Sequence, residues 1–131
     1  MTYKVLIVDD VATIRGFVRA AIASLNYSIL EAHNGARALE LCRQEQPDLV
    51  VTDWNMPGMR GDELIKHIRA EDPETHIIVL TAEGARDQVG AMLALDIQGY
   101  VLKPFQPPAL RRRIEAVLLQ RLPRAAFPSQ G

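Results

Sequence analysis

Four continuous apolar runs constrain this chain most: "KVLIV" (4–8), "DLVV" (48–51), "IIVL" (77–80) and "YVL" (100–102). They do not alternate with polar residues, which is the pattern of strands covered on both faces in a parallel sheet. A weaker run, "SILEA" (28–32), mixes polar residues in and reads as an edge strand. Helical spacing fills the intervals. Ile14, Phe17, Val18, Ala21, Ile22 and Leu25 recur at i, i+3, i+4. Asn34 suits the N-cap of a helix carrying Ala38, Leu39 and Cys42. Gly61, Asp62 and Glu63 open the next with acids at its positive end, and Leu64, Ile65 and Ile68 form its apolar face. "ARDQVGAMLALD" (85–96) reads as a fourth helix that Gly90 weakens. A fifth has Pro108 near its start and Leu110, Ile114, Val117, Leu118 and Leu122 as its stripe. The outcome is (βα) repeated five times: an α/β doubly wound, parallel five-stranded sheet with right-handed crossovers and helices on both faces. In such open sheets the site lies beyond the carboxyl ends of the strands.

A chain of 131 residues fits one domain with its own core. Its formal net charge of −1 argues against direct nucleic-acid binding, which rests on neutralising phosphates. One cysteine, Cys42, excludes an internal disulfide and suits a reducing, cytoplasmic setting. The opening apolar stretch is too short for a signal peptide or membrane insertion.

At the carboxyl ends stand Asp9 and Asp10 after the first strand, Asp53 after the third, Thr81 after the fourth and Lys103 after the fifth. Singly, each has an ordinary reading as a turn or cap residue. A parallel sheet, however, gathers all of them on one edge. Three carboxylates there raise one another's pKa unless a cation neutralises them. An all-oxygen acidic pocket suits a hard divalent ion such as Mg²⁺. Lys103 and Thr81 can hold an anion, which leaves a carboxylate free to attack phosphorus. The pattern points to phosphoryl transfer. Asn55 and Glu83, two positions after Asp53 and Thr81, border the path of water to an acyl phosphate.

"VLIVDD", "VTDWNMPGMRG", "IIVLTAE" and "GYVLKPF" resemble the receiver domain of two-component response regulators, and most of all the single-domain chemotaxis type. The resemblance covers residues 3 to 122, so residues 1–122 form the expected receiver and "PRAAFPSQG" (123–131) a frayed tail or the start of a linker. It implies a flavodoxin-like fold with strand order 2-1-3-4-5. Asp53 would take a phosphoryl group from a sensor histidine kinase or phosphotransfer protein. Asp10, Asp53 and the Asn55 backbone carbonyl would bind Mg²⁺, with Asp9 acting largely through water. Lys103 would contact the acyl phosphate, Thr81 would follow it, and Tyr100 would be the switch aromatic. A downstream target protein would meet the face made by the fourth helix, fifth strand and fifth helix. The resemblance further implies a switch rather than an enzyme, a monomer with a phosphorylation-dependent dimer left open, and a cis Lys103–Pro104 bond.

The chain departs from the family pattern in places. Arg60 stands where the family usually has Asp, changing surface charge but no site atom. Asp96 falls where a glycine often ends the fourth helix, and Asp tolerates the left-handed conformation. Arg111, Arg112 and Arg113 crowd the early turns of the last helix and read as a solvated face, with an acidic docking partner as the alternative. His33, His67 and His76 lack ligand spacing. Cys42 belongs to the core, Met56 and Met59 to loop packing, and Trp54 is expected part-exposed beside the acids. A Mg²⁺-dependent phosphatase of the haloacid dehalogenase type would need its D-x-D after the first strand. A flavodoxin-type electron carrier would need Ser, Thr and Gly where "DDVAT" stands. Within the family, a free-standing regulator and a receiver cut from a longer one both fit the short tail.

Overall fold

Backbone hydrogen bonding follows the apolar runs. The computed structural model describes residues 2–82 and 86–124. Its strands are β1 (Lys4–Val8), β2 (Ser28–Ala32), β3 (Leu49–Asp53), β4 (His76–Ala82) and β5 (Gly99–Lys103). Its helices are α1 (Ala12–Ile22, followed by one 3₁₀ turn), α2 (Gly35–Glu45), α3 (Gly61–Glu71), α4 (Arg86–Leu93) and α5 (Pro107–Leu118). All strand pairs are parallel, in the order β2-β1-β3-β4-β5, the flavodoxin-like order expected. β3 is buried throughout, whereas β2 and β5 lie half-exposed at the two edges.

Because successive side chains leave a strand on opposite faces, the sheet builds two cores. Val5, Ile7, Leu49, Val51, Ile78 and Leu80 meet α1 and α5 through Val18, Ile22, Leu110 and Ile114. On the other face, Leu6, Val8, Val50, Ile77 and Val79 meet Leu39, Leu64, Ile65, Ile68 and Met92 of α2, α3 and α4. That two-sided burial is the physical reason the runs are continuous.

Differences from the sequence expectation lie at the ends of elements. β3 and β4 extend past their apolar runs to take in Thr52, Asp53, Thr81 and Ala82, because the ladder needs only backbone groups. Asn34 caps α2 as expected, its side chain accepting from Arg37 N at 2.8 Å. α4 ends at Leu93, short of 96, and Asp96 takes the left-handed conformation (φ 59°). Two apolar assignments fail. Phe17 points out of the core, and Leu122 lies past the end of α5, 59% exposed.

Residues 123 and 124, the first of the segment read as a frayed tail or the start of a linker, are held down. Pro123 is buried, and Arg124 folds under the amino ends of the strands. Its guanidinium grips both Asp72 carboxylate oxygens at 2.7 and 2.6 Å, and its backbone N–H donates to Asp48 at 2.7 Å. The other Asp48 oxygen accepts from Lys4 N at 2.7 Å, so this buried carboxylate is paired on both sides. Burial alone would raise the Asp72 carboxyl, but Arg124 and the Thr75 hydroxyl outweigh it and hold it below the ordinary value. Arg124→Ala should therefore cost about 1–3 kcal/mol in urea unfolding at neutral pH. A depressed folded pKa contributes stability above the ordinary aspartate range that is lost as pH falls through the folded value. The two proteins should accordingly converge in acid.

Candidate functional site

The site forms where alternation and register bring strand ends together. Asp9 lies two residues past Ile7, Asp53 two past Val51 and Lys103 two past Val101, so all three leave the sheet on the α1/α5 face. The Lys103 ammonium lies 3.2 Å from Asp9 Oδ2 and 3.1 Å from Asp53 Oδ1. Asp9, Asp10 and Asp53 each place a carboxylate oxygen within 4.8 Å of the others. Asp9 and Asp53 are buried and Asp10 is exposed, so the cluster has a dry floor and a wet side.

Several groups fix this geometry. Asp9 Oδ1 accepts from Val11 N at 2.9 Å, and Asp9 N donates to Ala32 O at 3.2 Å. Arg15 donates from Nη1 to the Asp9 carbonyl at 2.7 Å. It is oriented by Glu31 on β2, which also pairs with Arg19 (3.0 and 2.8 Å). Sequence reasoning missed Arg15 and Glu31 as supports; the available signal was a basic i, i+4 pair on α1 facing an acid on an edge strand. On β3, Trp54 N donates to Leu80 O and Gly61 N to Trp54 O, both at 2.9 Å. A Cβ on Gly61 would stand 2.5 Å from the Asp53 carbonyl oxygen and 2.8 Å from Trp54 Cα. Only glycine lets α3 start this close to the strand carrying Asp53.

Burial pushes the Asp53 carboxyl above its ordinary value; Lys103 opposes that rise and Asp9 adds to it. Asn55 N–H lies 3.4 Å from Asp53 Oδ1, and the Asn55 residue is exposed at the rim.

Thr81 and Tyr100 fall on the opposite face. Thr81 follows Leu80, the register partner of Asp53, and shares a face with Val79, the partner of Tyr100. The Thr81 hydroxyl is buried and, among the described residues, has no hydrogen-bond partner. Tyr100 is half-buried against the α2/α3/α4 core. Glu83 lies outside the described residues. Trp54 is buried, 3% exposed, which corrects the expectation of a part-exposed ring: it belongs, with Met56 and Leu64, to the core on the α2/α3/α4 face. Lys103–Pro104 is cis, as expected. Cys42 packs against the core, its thiol pushed up to about 12 by burial and nearby Asp72, and among the described residues no histidine joins the acidic cluster. One feature went unread in the sequence. Ile14, Phe17, Ala21, Pro104, Phe105 and Pro107 line an open apolar groove of about 600 Å³ beside Lys103.

A doubly wound α/β protein with paired acids, a bridging lysine and a buried hydroxyl at its carboxyl edge is built to hold a charged group there. Residues 5–115 match the response regulator receiver domain, and the chain belongs to that family, a response regulator module of two-component signalling. It is 38% identical over 117 residues to the chemotaxis protein CheY-3 of Vibrio cholerae, covering 87% of this chain and 90% of that one. The chemotaxis protein CheY of Pseudomonas aeruginosa is 39% identical, with 87% and 94% covered. Among solved structures, the chemotaxis response regulator CheY4 of Vibrio cholerae superposes with a TM-score of 0.83 at 32% identity, covering 90% of this chain and 100% of that one. The receiver domain of AraT from Geobacillus stearothermophilus gives 0.84 at 35%, with 92% and 95% covered.

Gly61→Ala should push the start of α3 off β3, costing about 1–3 kcal/mol as in other overpacked cores. Thermal unfolding reads the loss.

Proposed function

We propose that the protein is a phosphorylation-activated switch in which Asp53 accepts a phosphoryl group. The observation that carries this reading is the Lys103 ammonium set between Asp9 and Asp53, at 3.2 and 3.1 Å, beside a third carboxylate. The donor set fits Mg²⁺: every ligand atom is oxygen, and three carboxylates outweigh one ammonium. Asp9, Asp10, Asp53 and the Asn55 backbone carbonyl would hold the ion. When bound, it neutralises the carboxylates and the phosphoryl oxygens.

Asp53 attacks phosphorus through a carboxylate oxygen. An O–P bond forms as the N–P bond of a phosphohistidine breaks, and the electron pair leaves on the imidazole nitrogen. Lys103 holds charge on the transferred oxygens. Asn55 and Glu83 border the approach of the water that later hydrolyses the acyl phosphate. The donor is a sensor histidine kinase or phosphotransfer protein. The apolar groove beside Lys103 gives such a donor contact area next to the reacting oxygen. The Thr81 hydroxyl turns toward the phosphoryl dianion, since charge-assisted hydrogen bonds are the strong ones. The volume it vacates admits the Tyr100 ring and alters the α4–β5–α5 face for a target protein. Relatives named as chemotaxis proteins support a target in chemotaxis. Among the described residues no helix is long and apolar enough to cross a membrane; the cytoplasm is the proposed site of action, with a monomer as the resting form. Residues 1–122 act as the receiver.

Acetyl phosphate should label Asp53 only with a divalent cation, and Asp53→Asn should abolish labelling while keeping the native circular dichroism. Normal labelling of that variant would overturn the assignment. Tyr100→Ala should label normally yet lose the gain in target affinity that beryllofluoride gives the wild type.

A further inference from the structure

We propose that Arg60 is a second cation of the phosphoryl-transfer site, set on its rim to draw anionic phosphodonors toward Asp53. The inference rests on the reading of Asp53 as phosphoacceptor. Arg60 occupies the N-cap of α3 with extended backbone (φ −72°, ψ 162°) and makes no side-chain capping bond. A short oxygen-bearing side chain would cap the first turn there, and a cation carries the wrong charge for the positive end of a helix. Locally, then, arginine is a poor choice. Its contacts lead to the site instead.

Arg60 Nη2 lies 3.4 Å from Asn55 Oδ1, and Nε lies 3.5 Å from Asp62 Oδ1. Asn55 in turn directs its backbone N–H to Asp53 Oδ1. The guanidinium is therefore one residue removed from the phosphoacceptor, on the solvent side. Both of its contacts are long, and its side chain is 49% exposed, so they add little stability and leave its donors open to an incoming anion. Lys103, by contrast, is already engaged by Asp9 and Asp53. With Lys103 and a bound divalent cation the three carboxylates would be only balanced, so a fixed positive charge on the rim supplies the net attraction for a phosphate dianion over about one Debye length, roughly 8 Å. A guanidinium also matches phosphate oxygens through its planar fork of donors. The sequence reading gave Arg60 no site contact; its reach to Asn55 corrects that.

The test is the second-order rate constant for labelling by acetyl phosphate at saturating Mg²⁺, for wild type, R60K, R60S and R60D, each at low and high salt. R60K should stay within about twofold of wild type, while R60S falls about two- to threefold and R60D about five- to tenfold at low ionic strength. At about 0.5 M salt the differences should shrink below twofold. Phosphoramidate, a less charged donor, should show a smaller spread. R60S and R60D can cap α3, so both should melt higher than wild type while reacting more slowly, a pairing that loop damage would not produce. Equal rates across the series at low salt would overturn the proposal. So would a fall that salt leaves untouched, or one that tracks a lowered melting temperature. Absence of label on wild-type Asp53 would remove the phosphoacceptor reading and this one together; normal wild-type labelling with a charge-indifferent series removes only the role of Arg60.

Discussion

Repulsion among like charges held close together sets the terms for the rest of this structure. Asp9, Asp10 and Asp53 have oxygens within 4.8 Å of one another, and two of the three residues are buried. Burying ionised carboxylates is costly unless they are paired. The Lys103 ammonium supplies that pairing inside the chain, so a strand at the sheet edge is tied electrostatically to β1 and β3. One ammonium against three carboxylates still leaves the pocket short of positive charge. That shortage is one the proposed divalent cation would fill, and only then could the pocket take in an anionic phosphoryl group.

Strand alternation separates the proposed chemistry from the proposed readout. Asp9, Asp53 and Lys103 leave the sheet toward α1 and α5, whereas Thr81 and Tyr100 leave it toward α2, α3 and α4. Thr81 is the natural bridge in that proposal, because it lies near the carboxyl end of the strand next to β3 and its buried hydroxyl has no partner among the described residues, whereas the other unpartnered polar atom of β4, His76 Nδ1, lies at the amino end. A buried hydroxyl without a partner has more to gain from a new acceptor than a solvated one.

At the other pole, arginines lock the loops. Arg69 donates from Nε and Nη2 to the Asp96 carbonyl at 3.0 and 2.8 Å, which holds the left-handed turn where the family pattern has glycine. Arg124 does the same for the end of the described residues through Asp72 and Asp48. These contacts tie the loops at the amino ends of the strands together, at the pole opposite the acidic cluster.

Continuous apolar runs separated by helical spacing determined the (βα)5 architecture, because a strand covered on both faces must be apolar at every position. The polar residues that interrupt the runs determined the membership of the site, since a parallel sheet leaves Asp9, Asp53, Thr81 and Lys103 no other edge to share. Asn34 and Asp96 were legible for a local reason: a cap and a left-handed turn depend on one residue's own chemistry. Tertiary structure alone decided the remainder. Phe17 follows the helical period yet faces a groove, Trp54 is buried in the core, Arg15, held by Glu31, braces the Asp9 carbonyl, and Arg60 reaches Asn55. Each outcome depends on what a distant segment places opposite the side chain, and periodicity along one element carries no information about that.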